Sequence, residues 1–126
     1  MHKVAVLALP DFVPLDFGIA CDAFGLVSDA SGAKAYDVQV CGPSRTVRTR
    51  GFEVRVPSGL DALADGDTVV VPGIDDPTVL IPKAVTTALR SAWERGARVT
   101  SICTGAFVLA ASGLLDGKRA STHWLF

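Results

Sequence analysis

One cysteine in this 126-residue chain stands where chemistry is possible. In "VTSICTGAFVLA" an apolar β-like run ends at Cys103, and Gly105 opens a helix-like run two residues later. A strand that turns directly into a helix holds the residue at the turn exposed over the carboxyl edge of a sheet, the geometry of a nucleophile elbow. The helix amino terminus beyond it carries unpaired N–H groups and a partial positive charge, which favour a thiolate and can bind a developing oxyanion. Thr104 would contribute a backbone donor and a hydroxyl, and Gly105 would let neighbouring backbone approach closely. The plainer reading is a buried thiol, since free cysteine is among the most buried residue types. Spacing alone leaves both readings open.

Six other positions qualify the picture. Asp16 follows "VPL" at the start of a helix-like stretch, where a carboxylate complements the helix dipole; it could equally act as an acid or base at the same sheet edge. Gly73 closes "DTVVVPG" as a turn glycine or as a second oxyanion donor. His123, in "STHW", reads as a titrating partner or a core histidine, and His2 as a solvated terminal residue. Cys21 lies on a helical apolar stripe and Cys41 ends a strand, so both read as core thiols, leaving Cys103 as the one expected to oxidise first.

The elements that would position these residues follow from periodicity. Lys3 to Leu9 is a short apolar run of the kind buried on both faces in a parallel sheet. From Pro14, the spacing of Phe17, Ala20, Cys21, Phe24 and Val27 predicts a helix. "YDVQVCG" alternates as a second strand, and "RTVRTRGFEVRVP" reads as a hairpin around Gly51 at the sheet edge. "DTVVVPG" is a further buried strand. A helix starting at Pro82, with Val85, Leu89, Ala92 and Trp93 as its buried stripe, stops at Gly96. "ARVTSIC" returns as a strand, Gly105 to Leu115 forms a helix closed by Asp116 and Gly117, and "KRASTHWLF" begins like a strand. Strands alternating with helices in this way predict an α/β sandwich whose parallel sheet carries helices on both faces.

Bulk properties narrow the function. With 49% hydrophobic and 20% charged residues and a net charge of −1, the chain is globular and lacks the basic stripe that nucleic-acid binding demands. No run approaches the roughly 20 apolar residues of a membrane span, the amino terminus lacks a signal pattern, and a cytoplasmic location without membrane contact is expected. Three cysteines at unrelated spacings argue against a disulfide framework and against a zinc cluster, so neither a metal nor another cofactor is expected.

Taken together, "VAVLALPDFVPLDFGIACDAFG", "DTVVVPG" and "VTSICTGAFVLAASGLLDGKRASTHW" closely resemble the ThiJ/PfpI superfamily of class I glutamine amidotransferase-like domains, along the whole chain and in order. The form most similar is the amino-terminal domain of AraC-type transcriptional regulators, and isonitrile hydratases share the pattern. The resemblance implies a flavodoxin-like three-layer sandwich, usually dimeric. It places Cys103 at the elbow and Asp16 as the acidic residue facing it. Thr104 corresponds to the threonine that, with the aspartate, assists addition to an isonitrile carbon in the hydratases. The amide of Gly73 would point into the pocket, and His123 is the histidine of the T-H-W motif.

Two functional readings follow from this likeness, beside a structural one in which the pocket is vestigial and the domain only dimerises. In one, residues 1–126 are the ligand-sensing and dimerisation domain of a regulator, binding a small-molecule effector around Cys103, Asp16, Gly73, Thr104, Gly105 and His123. DNA would then be contacted only through a carboxyl-terminal helix-turn-helix domain absent from this chain. In the other, the protein is a cysteine-dependent hydratase. The superfamily domain normally runs on for roughly another third of this length, so the fold is expected to lack its carboxyl-terminal part.

Overall fold

The computed structural model describes residues 1–126. Ten elements follow one another: β1 (His2–Leu7), α1 (Pro14–Gly25), β2 (Tyr36–Cys41), β3 (Thr46–Thr49), β4 (Phe52–Arg55), α2 (Leu60–Asp65), β5 (Thr68–Val71), α3 (Lys83–Glu94), β6 (Arg98–Ser101) and α4 (Gly105–Ala111). β2, β1, β5 and β6 form a parallel sheet in that order. Alternation along its central strands divides the core into two faces. Ala5, Leu7, Val69 and Val71 pack with Leu63 of α2, Val85 and Leu89 of α3 and Val108 of α4. Val4, Val6 and Val70 pack on the opposite face with Ala20, Phe17 and Phe24 of α1. The result is the three-layer α/β sandwich expected from the apolar runs.

The chain leaves β1 towards β2 with its helix on one face, then crosses to β5 and β6 with helices on the other. Right-handed crossovers taken in opposite directions require this change of face. It creates a topological switch point between β1 and β5, the place where open α/β sheets bind their ligands.

Several expectations change in detail. β3 and β4 pair antiparallel through Thr46–Arg55 to Thr49–Phe52, with Gly51 at φ +79°, but they form a separate two-stranded sheet rather than an edge of the main one. The sequence pattern does not mark α2, because six residues are too few to display a helical period. Val27 lies beyond α1 and is exposed. On α3 the stripe of Val85, Leu89 and Ala92 is buried, whereas Trp93 is 48% exposed, with the Lys118 ammonium 5.3 Å from its ring centroid. One position further around the helix carries that indole past the edge of the core. Pro82 precedes the first helical residue, Lys83. α4 stops at Ala111, since Gly113 takes φ +78°, and Leu114 and Leu115 pack from the turns beyond it. The segment from Lys118 to Phe126 forms no strand; it ends in a turn closed by Phe126 N–H donating to His123 O at 2.9 Å.

Candidate functional site

The loops after β1 and β5 are joined across the switch point. Phe12 and Ile74 form an antiparallel bridge, Val13 N–H donates to Gly73 O at 2.8 Å, and Asp75 N–H to Asp11 O at 3.0 Å. Asp11 takes φ +59°, a left-handed turn that aspartate tolerates better than most residues. This stitching fixes the start of α1, whose third residue is Asp16, 8% exposed. Gly73 N–H donates to Asp16 Oδ2 at 3.2 Å. A Cβ at position 73 would lie 2.6 Å from that oxygen, 3.0 Å from Thr104 Oγ1 and 3.2 Å from Val13 Cγ2. Glycine at 73 is thus what lets Asp16 and Thr104 close on the same point of the chain, Asp16 at the Gly73 amide and Thr104 at the Ile74 amide.

The second half of the site is the turn after β6. Ile102 N–H donates to Val71 O at 2.9 Å, and the chain then folds at Cys103 with φ +55°. That conformation is costly for a residue with a Cβ, and it is stored here at a half-exposed thiol. The elbow geometry anticipated from "SICTGA" is therefore present. Gly105 permits it: a Cβ there would sit 2.2 Å from Val71 O and 2.9 Å from Pro72 O. Its absence lets the first turn of α4 lie directly against the end of β5.

Thr104 is almost fully buried, and its hydroxyl is committed twice to one residue. It accepts from Ile74 N–H at 2.8 Å and donates to Ile74 O at 2.7 Å. The hydroxyl is a staple between the β5 and β6 loops. The N–H groups of Cys103 and Thr104, by contrast, donate to no group of the chain, and Asp16 Oδ1 accepts from none. The edge therefore offers a thiol, two backbone donors and one carboxyl oxygen.

The Cys103 carbonyl accepts from Ala106 N–H at 3.3 Å and from Thr122 Oγ1 at 3.0 Å. Thr122 escapes a reading by residue type, because its partner is a backbone carbonyl 19 positions away. The structure thus brings Asp16, Gly73 and Thr104 together with Cys103 and Gly105 in the adjoining turn. His123 faces its own segment: Nδ1 accepts from Leu125 N–H at 3.1 Å, and the ring stacks on Trp124 with centroids 5.6 Å apart.

The other thiols differ from Cys103 in surroundings. Burial pushes Cys41, fully enclosed, up to about 12. Cys21 is also raised, first by burial and then by the neighbouring Asp22 carboxylate. Neither Cys103 nor Asp16 lines the main clefts of the molecule. One of about 650 Å³ lies between the β2 end and the hairpin, and one of about 230 Å³ runs from Leu9–Asp11 to Ile74 and Val79–Pro82 beside the switch point. No three His, Cys, Asp or Glu side chains converge in a metal-binding arrangement, and no helix is long and apolar enough to cross a membrane.

Comparison with known proteins gives this geometry a context. The family model described as the DJ-1/PfpI family matches residues 2–126. A protein of the cpoL 5′ region of Streptomyces lividans is 36% identical over 127 residues, covering 98% of this chain and 88% of its own length. The HTH-type transcriptional regulator GbdR of Pseudomonas aeruginosa is 29% identical over 131 residues, again across 98% of this chain, which spans only 34% of the regulator. The isonitrile hydratase of Pseudomonas putida is 55% identical over 38 residues, 30% of this chain and 17% of that enzyme. Among solved structures, an AraC family transcriptional regulator from Pseudomonas putida superposes with a TM-score of 0.78 at 23% identity, over 99% of this chain and 68% of that one.

Proposed function

This chain belongs to the DJ-1/PfpI family, and from that premise we propose that it is the amino-terminal sensing and dimerisation domain of an AraC-type transcriptional regulator. The observation that carries the reading is the match to GbdR along nearly the whole chain, confined to about a third of that regulator's length. In such a regulator the domain would report occupancy to the remainder of the protein. Dimerisation would set the spacing between two DNA-binding units, as two-fold operators require.

The effector would take the edge formed by Cys103, Thr104, Asp16 and Gly73. Two unpaired N–H groups suit an anionic oxygen, and the free Asp16 oxygen suits a cationic or N–H-bearing group. Amino acids and betaines carry both in one small molecule. The test is to titrate a panel of them against the full-length protein while measuring operator affinity. A several-fold change with one member is expected, and no change with any would remove the sensor role.

A hydratase reading is favoured by one observation, the 55% identity to isonitrile hydratase over a 38-residue stretch. In that mechanism Cys103 would add to the isonitrile carbon, Asp16 would move the proton, and water would displace the thiol to leave the N-substituted formamide. The amides of Gly73 and Thr104 would form the anion site. Two commitments weigh against it: the Gly73 amide is turned to Asp16, and the Thr104 proton is turned to Ile74 O. Formamide production from an alkyl isonitrile that disappears in Cys103→Ala would restore the enzyme.

A further inference from the structure

The cleft of about 650 Å³ beside the hairpin lies apart from the Cys103 edge and has its own chemistry. Its walls are the loop after β2 and the loop after β4, held together by Gly42 N–H donating to Ser58 O at 3.2 Å and Val56 N–H donating to Arg45 O at 2.7 Å. Gly42 makes the floor possible, since a Cβ there would lie 2.7 Å from Ala8 O. Arg45, Arg55, Ser44, Thr46 and Ser58 line the cleft, and no acidic residue does.

Charge in the hairpin is distributed unevenly. Residues 45–55 hold four arginines and one glutamate, in a chain whose net charge is −1. Arg48 is the cross-strand partner of Glu53, and Arg50 pairs with Asp75 at 3.1 Å. Arg45, Arg48 and Arg55 make no ion pair, and of these three Arg45 and Arg55 line the cleft. Two guanidinium forks and three hydroxyls without intramolecular partners, around a volume suited to a small molecule, call for a compact anion with several acceptor oxygens.

We propose that this cleft binds a phosphate dianion, free or as the phosphate of a small phosphomonoester, clamped between Arg45 and Arg55. Phosphate accepts from both guanidinium groups bidentately while leaving oxygens for Ser44, Thr46 or Ser58. A dicarboxylate such as succinate divides its charge between two ends and fits one compact cation pair less well.

The test is calorimetric titration of inorganic phosphate, ribose 5-phosphate and succinate into the purified protein at constant ionic strength. Saturable binding of at least one phosphate compound is expected, with succinate weaker. Loss of one charge-assisted pair in Arg55→Ala should weaken it by about tenfold or more, and Arg45→Ala should act likewise. Arg48→Ala, on the same hairpin, should leave it unchanged. Tighter ribose 5-phosphate identifies a phosphomonoester and tighter inorganic phosphate the free ion; both uphold the site. No saturable heat, equal binding of succinate, or undiminished binding in the Arg45→Ala/Arg55→Ala protein with its melting temperature intact would overturn it.

Discussion

Gly73 donates its N–H to Asp16 Oδ2 at 3.2 Å, and the same oxygen stands 2.6 Å from where a Cβ on residue 73 would be. The carboxyl group and the glycine therefore require each other. Gly73→Ala should displace Asp16 from the amide and cost about 1–3 kcal/mol in urea unfolding. The control is Gly18→Ala in α1, where no atom lies within 4 Å and the loss of helix-interior glycine should stabilise by about 0.5–1 kcal/mol. Equal effects at the two positions would refute the close-approach argument.

Gly105→Ala should be worse than Gly73→Ala. Its Cβ meets backbone oxygen at 2.2 Å, which no rotamer change relieves, so the elbow or β5 must move. A loss of about 3–5 kcal/mol, or failure to fold, is expected. A soluble variant with wild-type stability would show that α4 does not need to lie against Val71.

Thr104 supplies a sharper contrast. Thr104→Val leaves the Ile74 N–H and C=O without the hydroxyl between them, in a residue only 3% exposed, and should destabilise by about 2–4 kcal/mol. Thr104→Ser keeps the hydroxyl and should recover most of that. If the two variants unfold alike, the methyl rather than the hydroxyl holds the loops.

The three thiols should separate by alkylation and mass mapping near neutral pH. Cys103, half-exposed at its turn, should react first, Cys21 slowly, and Cys41 only on unfolding. Cys41 also sets a stability limit at high pH. Its folded value is raised from 9.0 to about 12, so the thiol form contributes fully below 9. Between those values only the unfolded chain releases the proton, and stability should fall with a slope of up to about 1.4 kcal/mol per pH unit from this group. Cys41→Ala should flatten that slope when unfolding is followed from pH 9 to pH 11.

Strain at Cys103 gives a further contrast. With φ at +55°, Cys103→Gly should stabilise by about 1 kcal/mol relative to Cys103→Ala, which keeps the Cβ. Thermal melts of the two variants measure it directly. A glycine variant no more stable than alanine would mean that the left-handed turn carries no strain.

The parallel sheet was legible because β1 and β5 are unbroken apolar runs, as strands covered on both faces must be. The elbow was legible because strand, cysteine and glycine stand in one short stretch. What escaped was set by distance or by brevity. The Thr122 hydroxyl reaches the Cys103 carbonyl across a gap that no period marks, and α2 is shorter than two helical turns. Trp93 fits the helical spacing as well as Ala92 does, yet Ala92 is fully buried and Trp93 is about half exposed. The hairpin residues declare their strands and their turn, but not whether they join the main sheet.

The claim that the Cys103 and Asp16 edge receives the effector is tested most directly by one binding measurement. The metabolite of the amino-acid and betaine panel that changes operator affinity is titrated calorimetrically into wild-type protein, Cys103→Ser and Asp16→Asn. Binding weakened about tenfold or more in Asp16→Asn, and reduced in Cys103→Ser, with both variants folded, is the predicted result. Unchanged affinity in both variants would place the effector elsewhere and contradict the account.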